Sequence, residues 1–189
     1  MTYRISIPEN SNPLTHMSNE IGSRLLLNAR QNLLDVIYDA EETTLTPRER
    51  EGLRILFAAR SGCPYCTAAR MWRDKGGFSA TEIEEPFYEN AIALNLEWAG
   101  FNIRESLLLE FADCFDRDID NLNGNDALWQ RMHANLSKTE IGDLLIMLGG
   151  WLGSSRAIKA LGIAAAAHDI PQGQSIQDTI AGLVPGSRG

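Results

Sequence analysis

The sequence predicts an all-α, single-domain protein, and three features predict it. Apolar residues recur at spacings of three and four from Glu20 onward, two helix starts carry capping boxes, and no segment shows the alternation of a half-buried strand. The 189 residues suit one core better than two. Three parts are expected: a loop-rich N-terminal arm over 1–19, one helical domain over 20–163, and a C-terminal extension over 164–189.

The arm holds Pro8 and Pro13 among Asn and Ser, without periodicity. A helix from Glu20 to about Ala40 follows, with Leu26, Ala29, Leu33, Val36 and Ile37 on its apolar face. In Thr46-Pro47-Arg48-Glu49, a capping Thr, a Pro at the first helical position and a Glu three beyond the cap mark the second helix. Its stripe of Leu53, Leu56, Phe57 and Arg60 stops at Ser61-Gly62. Cys63-Pro64 opens a third helix, expected to reach Arg73 before Gly76-Gly77. Further helices are expected over 84–100, 103–120 and 126–134. Ile103, Leu107, Leu108, Phe111, Cys114 and Phe115 form the apolar face of the second of these, which makes Cys114 a core residue.

Ser137-Lys138-Thr139-Glu140 is a capping box for the last long helix, whose face is Ile141, Leu144, Leu145, Leu148, Trp151 and Leu152. Gly149, Gly150 and Gly153 within it permit close helix contact. A short helix over 175–183 and a frayed Pro185–Gly189 end the chain. The four tryptophans, Trp72, Trp98, Trp129 and Trp151, are spread over different helices, which suits core or subunit contacts better than a cofactor box.

Charge and composition exclude several functions. Seventeen basic against 25 acidic residues give a net charge of −8, a surface that repels phosphate backbones and anionic lipid, so neither nucleic acid nor membrane is expected as a partner. No apolar run approaches the roughly 18 residues of a membrane span, and Met1–Ser6 lacks the pattern of a secretory signal, so a cytoplasmic location is expected.

The chemistry centres on Cys63-Pro64-Tyr65-Cys66. Two cysteines three apart at a helix start can close a disulfide with little backbone movement. The unpaired N–H groups of a first turn stabilise thiolate, and Cys-x-x-Cys thiols at such sites fall from about 8.5 to about 3.5–7.5. Thiolate is the nucleophile of thiol–disulfide exchange and of attack on a peroxide oxygen. Zinc is disfavoured, because it needs about four ligands and the chain adds only a distant Cys114 and three scattered histidines. A glutaredoxin-like reading needs a strand before the motif, where this chain has a capped, Arg- and Glu-rich helix.

The wider context resembles a known family. Arg48-Glu49-Arg50-Glu51 followed by Cys63-Pro-Tyr-Cys66, then Arg104–Ala112, Leu136–Ile141 and Ser155–Gly162, is similar to the carboxymuconolactone decarboxylase/alkyl hydroperoxidase D superfamily, in its peroxidase-related branch. The resemblance spans about residues 45–163. It implies an alkyl hydroperoxidase D-like helical bundle that assembles into homo-oligomers; no metal, haem, flavin or nicotinamide motif appears in the sequence, so no cofactor is expected. It also implies that a Glu and a His relay protons to a Cys pair that reduces a small hydroperoxide. An external dithiol, lipoyl or thioredoxin-like, then restores the pair.

Carried over by position, the Glu is Glu51, twelve residues before Cys63, and the pair is Cys63 and Cys66, with Tyr65 beside them. The position of the His, four residues after Cys66, holds Arg70. Guanidinium is always charged and does not serve as a base, so the relay lacks its titratable link. If the helices flanking Gly62 pack antiparallel, Glu51 and Arg70 lie roughly 16 Å and 12 Å from the turn and are expected to meet as an ion pair. In the family scheme Cys66 attacks, and Cys63, nearer the helix end and solvent, resolves and meets the reductant. Two other functions fit parts of the pattern. One is a decarboxylase-branch enzyme acting on a small carboxylated lactone; the other is a non-catalytic oligomeric binding module in which Arg70 has displaced the acid–base machinery.

Overall fold

The computed structural model describes residues 4–8, 16, 20–39, 43–70 and 83–162. Among these the chain is helical, with no strand: α1 (Arg24–Asp39), α2 (Pro47–Ser61), α3 (Pro64–Ala68), α4 (Glu85–Ala93), α5 (Ile103–Arg117), α6 (Ile119–Gly124), α7 (Asp126–Asn135) and α8 (Lys138–Ala160). The expected continuation of the Cys-x-x-Cys helix to Arg73, Trp72, the 164–189 extension and most of the arm lie outside the described residues. Of the arm, residues 4–8 lie near the end of α8, where the Arg4 N–H donates to the Leu161 carbonyl at 3.2 Å.

The second helix is the centre of the bundle. α8, α4, α3 and α5 all pack on α2, and every residue from Glu49 to Ala58 is buried. A helix covered on all sides is ordinarily apolar all round. This one carries Glu49, Arg50, Glu51 and Arg54 into the interior, so each charge must find a partner there, because a buried ion without one costs several kcal/mol.

One end of the bundle shows how that requirement is met. Capping boxes open α2 (Thr46, Glu49), α5 (Asn102, Glu105) and α8 (Ser137, Glu140). The first and third were expected; the Asn102 box was not. Each capping glutamate also takes a guanidinium from another helix. Arg48 Nε donates to Glu105 at 2.7 Å, Arg104 Nε to Glu49 at 2.8 Å, and Arg104 Nη1 to Glu140 at 2.8 Å. Three helix N-termini, each a positive pole that favours a carboxylate, are thereby cross-linked.

The backbone N–H of Ser137 and the Arg104 guanidinium hold the Glu140 carboxyl below its usual range. A folded pKa below the unfolded one means stability present above the ordinary glutamate value of about 4.3 and lost as pH falls through the folded value. Glu140→Gln keeps the acceptor and drops the charge. It is expected to lower the urea midpoint at pH 7 by the equivalent of about 1 kcal/mol or less. That difference should shrink as pH falls through the lowered Glu140 value, because the parent side chain then also becomes neutral.

Several expected boundaries move, each for a local reason. The helix expected over 103–120 ends at Arg117. The Asp118 N–H donates to the Cys114 carbonyl at 2.8 Å, while its own carboxylate accepts from Asn121 and starts α6. The helix expected over 84–100 ends at Ala93, because Leu94 turns to a positive φ of 53°. Leu94, Leu96, Trp98 and Phe101 still pack on the core from the turns that follow.

Faces move too. Ile103 is 77% exposed at the first position of α5, where Leu109 and Ala112 are buried instead. Leu25, Leu26 and Val36 of α1 stand in solvent, while Ile37 is buried and Leu33 packs beside it. Leu145 of α8 is likewise exposed, and Met147 takes a buried place on that helix. Of the α8 glycines, Gly150 permits the approach of α1: an added Cβ would meet Ile37 at 3.2 Å and Leu33 at 3.5 Å. Gly149 and Gly153 face open space.

Candidate dithiol site

The cysteine motif sits where α2 ends and α3 begins. Gly62 adopts a left-handed φ of 66°, a conformation cheap only for glycine, and its N–H donates to the Ala59 carbonyl. That turn reverses the chain and puts Cys63 immediately before Pro64, the first residue of α3. The Cys63 N–H donates to Ser61 Oγ at 3.2 Å, and the Cys66 N–H points at Cys63 Sγ at 3.3 Å. Cys63 thus holds the helix-capping position, with sulfur where a serine or aspartate oxygen would stand. Cys63 and Cys66 are joined as a disulfide, their Cα atoms 5.3 Å apart.

Access to the two sulfurs is the reverse of the sequence expectation. Cys63 is 0% exposed and Cys66 is half-buried. Position along the helix suggested that Cys63 would face solvent, but the Gly62 turn folds it inward. Cys66 is the more exposed residue of the pair. Tyr65 lies in α3, and its side chain is outside the described part of the structure.

Glu51 is 0% exposed and does not meet Arg70. Its two carboxylate oxygens accept from Arg54, Nε and Nη2 each at 2.8 Å, three residues along the same helix. Arg54, 3% exposed, also donates from Nη1 to the Cys66 carbonyl and from Nη2 to the Ala69 carbonyl, both at 2.6 Å. No motif in the sequence singles out Arg54. The signal for it was the i, i+3 Glu–Arg pair on a helix that proves to be central.

Arg70 is committed elsewhere. α3 ends at Ala68, so Arg70 does not continue the helix one turn beyond Cys66, and the antiparallel construction that paired it with Glu51 fails there. Its Nη2 and Nε donate to Glu85 of α4, at 2.8 Å and 3.1 Å. Its Nη1 donates to the carbonyls of Thr67, Ala68 and Ala69 at 2.7, 3.2 and 3.2 Å. The guanidinium lies over the Tyr88 ring, 4.2 Å from its centroid. Two arginines therefore brace the carbonyls that follow the cysteine motif, one from α2 and one from the chain itself.

Cys114 is a free thiol packed on the core, and burial, then the Asp113, Glu110 and Asp118 carboxylates, push its pKa up.

No protein-family model and no curated relative matches the sequence. A crystal structure of an uncharacterized peroxidase-related protein from Silicibacter sp. TM1040 does match, at a TM-score of 0.53 and 18% identity, covering 72% of this chain and 68% of that one. This chain shares the fold of a peroxidase-related protein. The resemblance read from the motifs holds at that level, and the all-helical architecture agrees with it. No helix among the described residues is long and apolar enough to cross a membrane. Among the same residues, no group of three or more His, Cys, Asp or Glu side chains is placed to hold a metal ion.

Proposed function

We propose that the protein is a thiol-dependent oxidoreductase whose Cys63–Cys66 pair cycles between dithiol and disulfide to reduce a hydroperoxide. The observation that carries this reading is the disulfide itself, closed across one helical turn between buried Cys63 and half-buried Cys66. In the forward step the Cys66 thiolate attacks the peroxide oxygen, the O–O bond breaks, and the departing alkoxide takes a proton from water to leave as the alcohol. The Cys66 sulfenic acid then reacts with the Cys63 thiol, forming the disulfide and releasing water. An external dithiol of lipoyl or thioredoxin type supplies two electrons and two protons to reopen it.

Access at Cys66 makes that sulfur the one the external dithiol attacks, which frees buried Cys63 as the leaving thiol. Its sulfur is then held by the Cys66 N–H, a donor that stabilises developing negative charge. Glu51, through Arg54, and Arg70, through Glu85, form the ionic frame of the site, with Tyr65 as its neighbour. Homo-oligomeric assembly and a cytoplasmic setting are part of the same proposal.

The test is hydroperoxide consumption with dihydrolipoamide or thioredoxin as donor. Cys66→Ser is expected to lower the rate at least a hundredfold. Equal rates for parent and variant would remove the proposal. Turnover of a carboxylated lactone that survives loss of both thiols would favour the decarboxylase branch instead.

A further inference from the structure

Arg54 lies at a position to which neither the cysteine motif nor the family pattern assigns a role. Its guanidinium is buried, and two of its edges are in use. One grips both oxygens of Glu51; the other donates to the carbonyls of Cys66 and Ala69. The cation therefore stands between its carboxylate and the peptide that carries the accessible cysteine. In a buried, weakly screened setting, a charge interposed in this way favours an anion on the side away from its counter-ion.

We propose that Arg54 is a positioning residue of the dithiol: it pins the Cys66 carbonyl and biases the Cys63–Cys66 pair toward its reduced, thiolate form, with Glu51 as the counter-ion that limits that bias. This deepens the dithiol reading and rests on it. Glu51 then acts through a fixed charge on Arg54, not by carrying a proton.

The experiment is the equilibrium of the full-length protein with dithiothreitol buffers at one fixed pH, read by alkylation and mass. Two thiols of dithiothreitol give two electrons and two protons, the protein S–S bond opens, and the dithiothreitol sulfurs close into a ring disulfide. One proton passes to solvent where the protein keeps a thiolate. Glu51→Gln preserves shape and an acceptor oxygen but removes the counter-charge. It is expected to move the equilibrium at least tenfold toward the dithiol, about 30 mV for a two-electron couple. Arg54→Gln is expected to move it at least threefold toward the disulfide, and Arg54→Lys, which keeps the charge, to stay within threefold of the parent.

Folding of each variant is checked by its thermal transition. If Glu51→Gln does not fold, the contrast between Arg54→Gln and Arg54→Lys decides by the same criterion. Folded charge-removing variants within twofold of the parent, or shifts of the opposite sign, overturn the role given to Arg54. Because no hydroperoxide enters the measurement, failure of peroxidase turnover leaves this result intact. A pair that dithiothreitol does not reduce at all overturns both.

Discussion

Arg54→Met is expected to lower the unfolding free energy by about 3–5 kcal/mol, the scale of breaking a buried ion pair by removing one partner. Hydrogen bonds to both Glu51 oxygens and to the Cys66 and Ala69 carbonyls go with the guanidinium. The carboxylate it serves is fully buried on the central helix, so water cannot replace the lost donors without opening the core. The double variant Glu51→Met/Arg54→Met removes both charges and fills the volume with apolar atoms. It is expected to recover most of the loss, as apolar replacements of buried pairs often do. Urea unfolding of parent, single and double variants measures all three values. A single-variant loss below about 1 kcal/mol, the scale of an exposed ion pair, would show that the pair is not buried as described.

Phe87→Ala is expected to cost about 3–5 kcal/mol, the range for removing a buried aromatic ring. The ring is buried in α4 and makes edge-to-face contacts with Tyr88 and Phe101, at centroid distances of 5.7 Å and 5.4 Å. It also carries the Arg48 guanidinium over its face at 4.2 Å, which ties it to the cross-linked helix starts. Glu85, the carboxylate that holds Arg70, lies two residues before it on the same helix. Loss of the ring should therefore loosen the brace beyond the cysteines as well as the core. Thermal unfolding reads the first effect, and faster alkylation of the reduced Cys66 reads the second. A variant as stable as the parent would contradict the packing.

What could be read in the sequence was local. The boxes at Thr46–Glu49 and Ser137–Glu140 were legible because a cap and its glutamate lie within one turn and need no tertiary knowledge. The cysteine motif at a helix start was legible for the same reason. The burial of α2 was not, because Arg and Glu at four of its positions look like a solvated face until their partners on other segments are known. Side-chain periodicity also overstated α1, which meets the bundle along a stripe narrower than its apolar pattern and leaves Leu25 78% exposed.

Within the site, the length of α3 decides which charges meet. Extending the Cys-x-x-Cys helix past Ala68 puts Arg70 one turn beyond Cys66 and within reach of Glu51. Ending it at Ala68 frees Arg70 to turn toward α4 and leaves Glu51 to Arg54. The order of access at the two sulfurs depends on a single left-handed glycine, whose direction no spacing rule gives.

The dithiol account is tested most directly by treating the fully reduced protein with one equivalent of a hydroperoxide and mapping the sulfurs by peptide mass. The account predicts loss of two thiols, one disulfide joining Cys63 to Cys66, and an unmodified Cys114. It further predicts that Cys63→Ser traps a sulfenic acid on Cys66. Thiols that stay reduced after their equivalent of oxidant is supplied, or oxidation that falls on Cys114 alone, would contradict it.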